Sequence, residues 1–143
     1  CEPDGLISIA GNQIFRRPII DLAPLGCLNL HTSALPKYRG LMPTFWVLKN
    51  GESTTAVSVF MVDEGIDSGP IVVQEKVEIS NETQAQLIEK TKMIGMQCLV
   101  KAVDQLTDNT AIFFTNDDAK SSYYCFPTRS DVQAFYMRGK RFF

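Results

Sequence analysis

Two apolar segments joined by a short helical segment restrict the fold of this chain more than any other feature. Residues 5–10 are almost wholly apolar, which predicts a buried strand of a parallel sheet. Residues 26–31 predict a second strand, and residues 18–22 between them favour a short helix with proline near its first turn. A strand, a helix and a strand in this order form a parallel βαβ unit with a right-handed crossover. The sequence therefore predicts the α/β class.

The middle of the chain predicts one more helix and a pair of strands. Residues 43–49 favour a helix that is stopped by an Asn-Gly pair. Residues 54–63 form a β-branched run that is typical of a strand. Residues 71–79 predict its partner, so the two strands form a hairpin-like unit with an elaborate loop between them.

A long helix is predicted after these strands. Asn81 is its predicted N-terminal cap, with Gln84 three residues later. A shorter helix beginning at Ser130 or Asp131 is predicted in the tail. The long helix should cover one face of the sheet with an apolar stripe at helical spacing, formed by Leu87, Ile88, Thr91, Ile94, Cys98, Leu99, Ala102, Val103 and Leu106.

Composition disfavours several classes of function. The 143 residues fit one domain, and a hydrophobic fraction of 45% is ordinary for a globular fold. The net charge of −2 provides no basic excess to neutralise phosphates, so nucleic-acid binding is not expected. No apolar run approaches the roughly 20 residues of a membrane-spanning helix.

The four cysteines do not predict a metal site. Cys1, Cys27, Cys98 and Cys125 are far apart and form no C-x-x-C pair, and the chain has one histidine. No metal is therefore expected. Cys27 and Cys98 fall on apolar patterns as buried free thiols, which fits a reducing, cytoplasmic location.

Asn29 and His31 are the first candidate catalytic residues. Alternate side chains of a strand share one face, so both point the same way near the end of the second strand. Catalytic groups of open α/β sheets lie at the carboxyl ends of strands. The alternative is that the amide satisfies backbone groups and the imidazole is a hydrogen-bonded core side chain.

Asp67 is the third candidate. It lies between Gly65 and Gly69, which allow the backbone to turn tightly and to approach other groups closely. An aspartate between glycines is also a common turn residue, and in isolation that interpretation is favoured.

Two motifs at matching separation resemble the folate-dependent formyltransferase family. The first runs Asn29-Leu30-His31-x-Ser33-x-Leu35-Pro36-x-Tyr38-Arg39-Gly40, with Pro43 and Trp46 beyond it. The second runs Asp63-x-Gly65-Ile66-Asp67-x-Gly69-x-Ile71, with Gln74 beyond it. The resemblance covers residues 4 to about 106 and includes methionyl-tRNA formyltransferase, glycinamide ribonucleotide formyltransferase and the sugar N-formyltransferases. It implies a Rossmann-like three-layer α/β fold, with a mostly parallel sheet and an antiparallel hairpin-like edge.

The resemblance also implies the reaction. It is transfer of a formyl group from N10-formyltetrahydrofolate to a primary amine of a small acceptor, with Asn29, His31 and Asp67 as catalytic residues. Asn29 suits the oxyanion of the tetrahedral intermediate, while His31 and Asp67 share the proton transfer and the choice of base stays open. A formyltetrahydrofolate hydrolase and a non-catalytic folate-binding fragment are the alternatives.

The same resemblance implies binding residues. Arg39 is expected to hold a phosphate or carboxylate of the substrate, or else to pin its loop, and Ser33 is a second expected substrate residue that also suits a turn cap. The expected donor-binding residues lie in two loops: Gly11, Asn12, Gln13 and Ile14 in one, and Met61, Asp63, Gly65 and Ile66 in the other.

Residues 1–143 are expected to form a single partial catalytic domain, with a core over 4–106 and a C-terminal extension over 107–143. Family members carry further residues ahead of this segment, so the N-terminal half of the fold is expected to be missing. The open sheet edge then predicts low stability or a strand-mediated homodimer. A tRNA substrate is disfavoured, because residues after 108 resemble no barrel domain and the chain has no basic patch.

Overall fold

The computed structural model describes residues 2–11 and 13–143. A four-stranded sheet has the order β1-β2-β4-β5, and a two-stranded sheet joins β3 to β6. The elements in chain order are β1 (Leu6–Ile9), α1 (Arg17–Ile20), β2 (Cys27–His31), β3 (Arg39–Gly40), α2 (Pro43–Asn50), β4 (Thr54–Met61), β5 (Ile71–Glu78), α3 (Gln84–Thr107), a 3-10 turn (Asp118–Lys120), β6 (Tyr123–Tyr124) and α4 (Arg129–Met137).

The predicted α/β fold is confirmed, including the parallel βαβ unit and the antiparallel hairpin at the edge. β1 pairs with β2 in parallel, β2 pairs with β4 antiparallel, and β4 pairs with β5 antiparallel. The antiparallel share of the described sheet is thus larger than the patterns predict, because β4 runs against β2 as well as against β5. The sequence pattern of a central strand is the same whether it runs parallel or antiparallel to its neighbour, so the direction of β4 could not be predicted from it.

β1 is less buried than its composition predicts. Ile7 is 53% exposed and Ile9 is 46% exposed. Ile7 and Ile9 share one face of β1, whereas Leu6 and Ser8 on the other face are half-buried. Among the described residues, β1 lies at the edge of the sheet beside β2, and no element covers the face that carries Ile7 and Ile9 well enough to bury them. The prediction of a buried strand over residues 5–10 is wrong for this face.

α3 covers one face of the sheet with the predicted apolar stripe. Leu28 and Leu30 of β2, together with side chains of β4 and β5, pack against Cys98, Leu99 and Ala102 of the helix. Gly95 lets α3 approach β2, since a Cβ there would meet the side chain of Leu30.

The N-terminal cap of α3 lies two residues later than predicted. The hydroxyl of Thr83 accepts from the amide of Gln86, and the Gln86 side chain accepts from the Thr83 amide. This reciprocal pair satisfies two free donors at the helix start, whereas Asn81 is exposed.

A second core lies around α2 and the C-terminal segment. Phe45 of α2 stacks on Phe135 of α4 and on Phe142. The predicted tail helix is confirmed as α4, whose cap is Thr128. No helix of the described residues is long and apolar enough to cross a bilayer.

Candidate active site

β2 carries the two polar side chains to one cavity. Asn29 lies opposite Ser8 of β1 and Phe60 of β4, and His31 lies opposite Ser58 of β4. Asn29, His31 and Asp67 all line a cavity of about 490 Å³. Strand alternation and the loop between β4 and β5 thus bring together three residues that are separated by up to 38 positions in the sequence.

His31 is buried, and hydrogen bonding fixes its ring orientation. Nε2 lies 2.7 Å from the carbonyl oxygen of Tyr38, which can only accept, so Nε2 carries the proton that is donated. Nδ1 therefore faces Asp67, with 3.7 Å between Nδ1 and Oδ2. Of the two ring nitrogens, Nδ1 is therefore the one that faces both the carboxylate and the cavity.

The side chain of Tyr38, whose carbonyl accepts from His31, is anchored by hydrogen bonds and by stacking. Burial raises the pKa of Tyr38 to about 12, so its hydroxyl stays protonated and donates to Glu52 at 2.7 Å. Asn50 donates to the same hydroxyl oxygen at 3.1 Å. The ring also stacks on Tyr124 with 5.3 Å between the ring centroids.

Asp67 adopts the left-handed backbone conformation, with φ of 48°. Its Oδ2 accepts from the amide of Gly40 at 2.8 Å, so one carboxylate oxygen contacts both the β3 backbone and the His31 side of the site. Gly69 is required two residues later because a Cβ there would overlap the carbonyl of Met61.

Asn29 contributes an unsatisfied polar atom. Its Oδ1 is buried and has no hydrogen-bond partner among the described residues. Buried polar atoms nearly always have a partner, so an orphan that belongs to a cavity-lining side chain indicates a place for a ligand or water.

Most of the predicted donor-binding residues lie at this cavity. Asn12 is outside the described residues. Met61 does not line the cavity, and its side chain packs against the core formed by β2, β4, β5 and α3, so its expected donor contact stays a prediction. The predicted residues that do line it are Gly11, Gln13, Ile14, Asp63, Gly65 and Ile66.

Ser33 and Arg39 do not line the cavity, and their expected substrate contacts stay predictions. Ser33 is fully buried and donates to the carbonyl of Lys37 at 3.0 Å, so it fixes the turn. Arg39 is also buried, and its guanidinium donates to Asp118 at 2.7 Å and to the Asn116 side chain at 2.8 Å. These contacts are the ones expected from the alternative, in which Arg39 pins its loop.

Several lining residues escaped prediction. Ile88 and Lys92 line the cavity from α3, and their spacing of four residues could have placed them on one helix face. Tyr123 of β6 has no comparable signal, because its contact depends on the pairing of β6 with β3. Among residues 2–11 and 13–143, no group of His, Cys, Asp or Glu could hold a metal ion.

Residues 1–103 match a family model described as formyl transferase. The chain belongs to the formyl transferase family. The methionyl-tRNA formyltransferase of Kosmotoga olearia is 35% identical over 132 residues, which are 92% of this chain and 42% of that protein. The methionyl-tRNA formyltransferase of Thermodesulfovibrio yellowstonii is 39% identical over 106 residues, 73% of this chain and 34% of that protein. The resemblance inferred from the two motifs is thus confirmed.

Solved structures of formyl transferases share the fold. The N-formyltransferase from Helicobacter canadensis, in complex with folinic acid and dTDP-3-aminofucose, superimposes with a TM-score of 0.73 at 27% identity. The match covers 87% of this chain and 45% of that one. The sugar 3N-formyl transferase WlaRD, solved in the presence of dTDP and 5-N-formyl-THF, gives the same TM-score and identity.

These relatives correct one expectation about partners. The prediction that a tRNA substrate is disfavoured is wrong, because the similar curated proteins are methionyl-tRNA formyltransferases. That prediction was made because this sequence shows neither a basic patch nor a segment that resembles a barrel domain. The chain spans less than half the length of these relatives.

Proposed function

We propose that this chain belongs to an enzyme that transfers a formyl group from N10-formyltetrahydrofolate to a primary amine. The observation that supports the proposal most is the convergence of Asn29, His31 and Asp67 on one cavity. An amide, an imidazole and a carboxylate provide the donor, the proton acceptor and the charge that acyl transfer to an amine requires. We propose these three as the catalytic residues.

The cavity fits a folate donor in size and in lining. Its volume of about 490 Å³ lies within the range of small-molecule sites, roughly 300–1,000 Å³. Gly11, Gln13 and Ile14 line one part, and Asp63, Gly65 and Ile66 line another. Backbone N–H and C=O groups in such loops suit a flat heterocycle that is rich in donors and acceptors. When bound, the donor supplies an activated formyl carbonyl and a nitrogen leaving group.

Each of the three side chains has a different proposed role in the transfer. The Asn29 amide group can donate to the formyl oxygen, and its unpartnered Oδ1 can accept from the attacking amine. His31 has Nε2 committed to the Tyr38 carbonyl, so Nδ1 is the atom that can take or give a proton on the cavity side. Asp67 stands beside Nδ1 and balances the charge of the imidazolium. The amine proton would thus pass into the His31–Asp67 pair, either directly or through water, and from Nδ1 of His31 to the nitrogen that leaves the formyl carbon.

The C-terminal extension is proposed to belong to the same catalytic domain. β6 pairs with β3 next to the site, and Tyr123 of β6 lines the cavity. The hydrolase and non-catalytic alternatives gain no support from the comparisons, since the similar proteins are transferases by name.

The names of the relatives mention two kinds of acceptor. The proteins at 35–39% identity are named for methionyl-tRNA, and the Helicobacter canadensis enzyme at 27% identity was solved with an amino-sugar nucleotide. Both acceptors present a primary amine, which is the group that the proposed chemistry needs.

The test is a transfer assay with the full-length protein. Labelled N10-formyltetrahydrofolate is supplied alone, with methionyl-tRNA, or with dTDP-3-aminofucose. We expect label to move to one of the amines, with little free formate when no amine is present. Formate release at the same rate with and without amines would contradict the proposal and favour a hydrolase. Binding of the donor without turnover of any kind would favour the non-catalytic alternative.

A further inference from the structure

We propose that Asn116 is a positioning residue that holds Asp67 in its catalytic conformation from the C-terminal extension. The inference depends on the proposed function, because it assigns a role within that site. Asn116 does not line the cavity and therefore acts through Asp67 rather than on a substrate. It lies outside the residues that match the family model, which end at 103.

The contacts of Asn116 are directed at the backbone of the Asp67 loop. Its Nδ2 donates to the carbonyl of Asp67 at 2.8 Å and to the carbonyl of Gly69 at 2.9 Å. The side chain is buried, so both hydrogen bonds are sheltered from water. One amide group thus bridges the two ends of a three-residue turn.

The Asp67 loop needs such a bridge because its backbone is in an unfavourable region. A non-glycine residue with φ of 48° is strained unless its surroundings fix it. The left-handed conformation is also what directs Oδ2 to the Gly40 amide at 2.8 Å, while the same oxygen lies 3.7 Å from Nδ1 of His31. Release of the carbonyls of Asp67 and Gly69 would therefore move the carboxylate.

Asn116 is itself held by Arg39. The Arg39 guanidinium donates to the side-chain oxygen of Asn116 at 2.8 Å and to its carbonyl at 3.1 Å. It also donates to Asp118 at 2.7 Å. Gly40, which follows Arg39 in the chain, donates to the Asp67 carboxylate. The Asp67 turn is therefore contacted at its backbone by Asn116 and at its side chain by the residue next to Arg39. This arrangement gives the buried arginine a function that does not require substrate contact.

The test compares three variants of the full-length protein. Asn116→Ala removes the bridge, and Asn116→Asp keeps an acceptor for Arg39 but removes the donors to both carbonyls. Asn81→Ala is the control, since Asn81 is an exposed asparagine ahead of α3. For each Asn116 variant we expect kcat to fall by about 10–100-fold, with KM for the folate donor changed by less than about threefold. The control should match the wild type.

A double-substitution cycle with Asp67→Asn separates positioning from a general structural effect. If Asn116 acts through Asp67, its removal in the Asp67→Asn background should lower kcat by less than about twofold further. Losses of kcat that multiply in the double variant, or a normal kcat in both Asn116 variants, would overturn the inference.

A crystal structure of Asn116→Asp provides a readout besides activity: the hydrogen bond from Gly40 to Asp67 should be broken. That result would stand even if the wild-type enzyme transferred no formyl group, so failure of the proposed function is distinguishable.

Discussion

At the scale of single residues, Gly40 combines two requirements that no other residue type meets. Its φ is +94°, and a Cβ would clash with the carbonyl oxygen of Tyr124 across the pairing of β3 with β6. Its amide also donates to the Asp67 carboxylate. The glycine therefore allows the C-terminal extension and the Asp67 loop to approach the same point of the backbone.

Gly40→Ala should consequently destabilise the protein by about 2–4 kcal/mol, from backbone strain plus overpacking. Gly139→Ala is the matched control, because Gly139 has φ of +70° but a Cβ added there would meet no atom within 4 Å, so about 1 kcal/mol of strain is expected. Urea unfolding of the two variants measures the difference. Equal losses would show that the Tyr124 clash is relieved at no cost.

At the scale of single residues, the sequence predicts the position of a side chain where local geometry decides it. Strand alternation placed Asn29 and His31 on one cavity, and the flanking glycines marked the turn that carries Asp67. The protein contacts of Arg39 and Ser33 could not be predicted, because an arginine or serine that follows β2 has the same sequence pattern whether it meets substrate or protein. The partners of Arg39 lie 77 and 79 positions away, which no local pattern reveals.

At the scale of elements, the start of α4 is stabilised by a reciprocal cap. The Asp131 carboxylate accepts from the hydroxyl and the amide of Thr128, and it also pairs with Lys49 of α2 at 3.0 Å. The hydrogen bonds from Thr128, with a further contribution from Lys49, lower the pKa of Asp131 to about 2. The ionised carboxylate thus joins the tail helix to α2.

This lowered pKa predicts a stability contribution that depends on pH. Because the folded value lies below the ordinary 3.8, the contribution is fully present above about pH 4 and is lost as the pH falls toward 2. Asp131→Ala should therefore have a lower Tm than the wild type at pH 6, and the gap should nearly close by pH 2. Gln133→Ala on the same helix is the control, since it removes no titratable group. A gap that stays constant from pH 6 to pH 2 would contradict the assignment.

The elements themselves were predictable because their periodicities are strong, but two details were not. The cap of α3 fell to Thr83 rather than Asn81, since both residues suit a cap and the choice depends on which backbone amides the fold leaves free. The exposure of Ile7 and Ile9 depends on how well their face of β1 is covered, which the apolar composition of a strand does not specify.

At the scale of the whole molecule, the C-terminal extension is joined to the segment before it by three kinds of contact. β6 pairs with β3, Phe135 stacks on Phe45 with 4.9 Å between the centroids, and Asp118 binds Arg39. The tail was difficult to predict because a two-residue strand has no detectable period and its contacts are all distant in sequence. The extension nevertheless adds Tyr123 to the cavity lining, and its Asn116 donates to the carbonyls of Asp67 and Gly69.

The most direct test of the proposed chemistry is single-turnover formyl transfer by Asp67→Asn in the full-length protein. Asparagine tolerates the left-handed backbone and can still accept from Gly40, so the substitution removes the charge beside His31 while preserving the fold. We predict a rate about 10²–10³-fold below the wild type at unchanged Tm, while Asp104→Asn on the exposed face of α3 retains the full rate. A wild-type rate for Asp67→Asn would show that the three side chains share a cavity without sharing the chemistry.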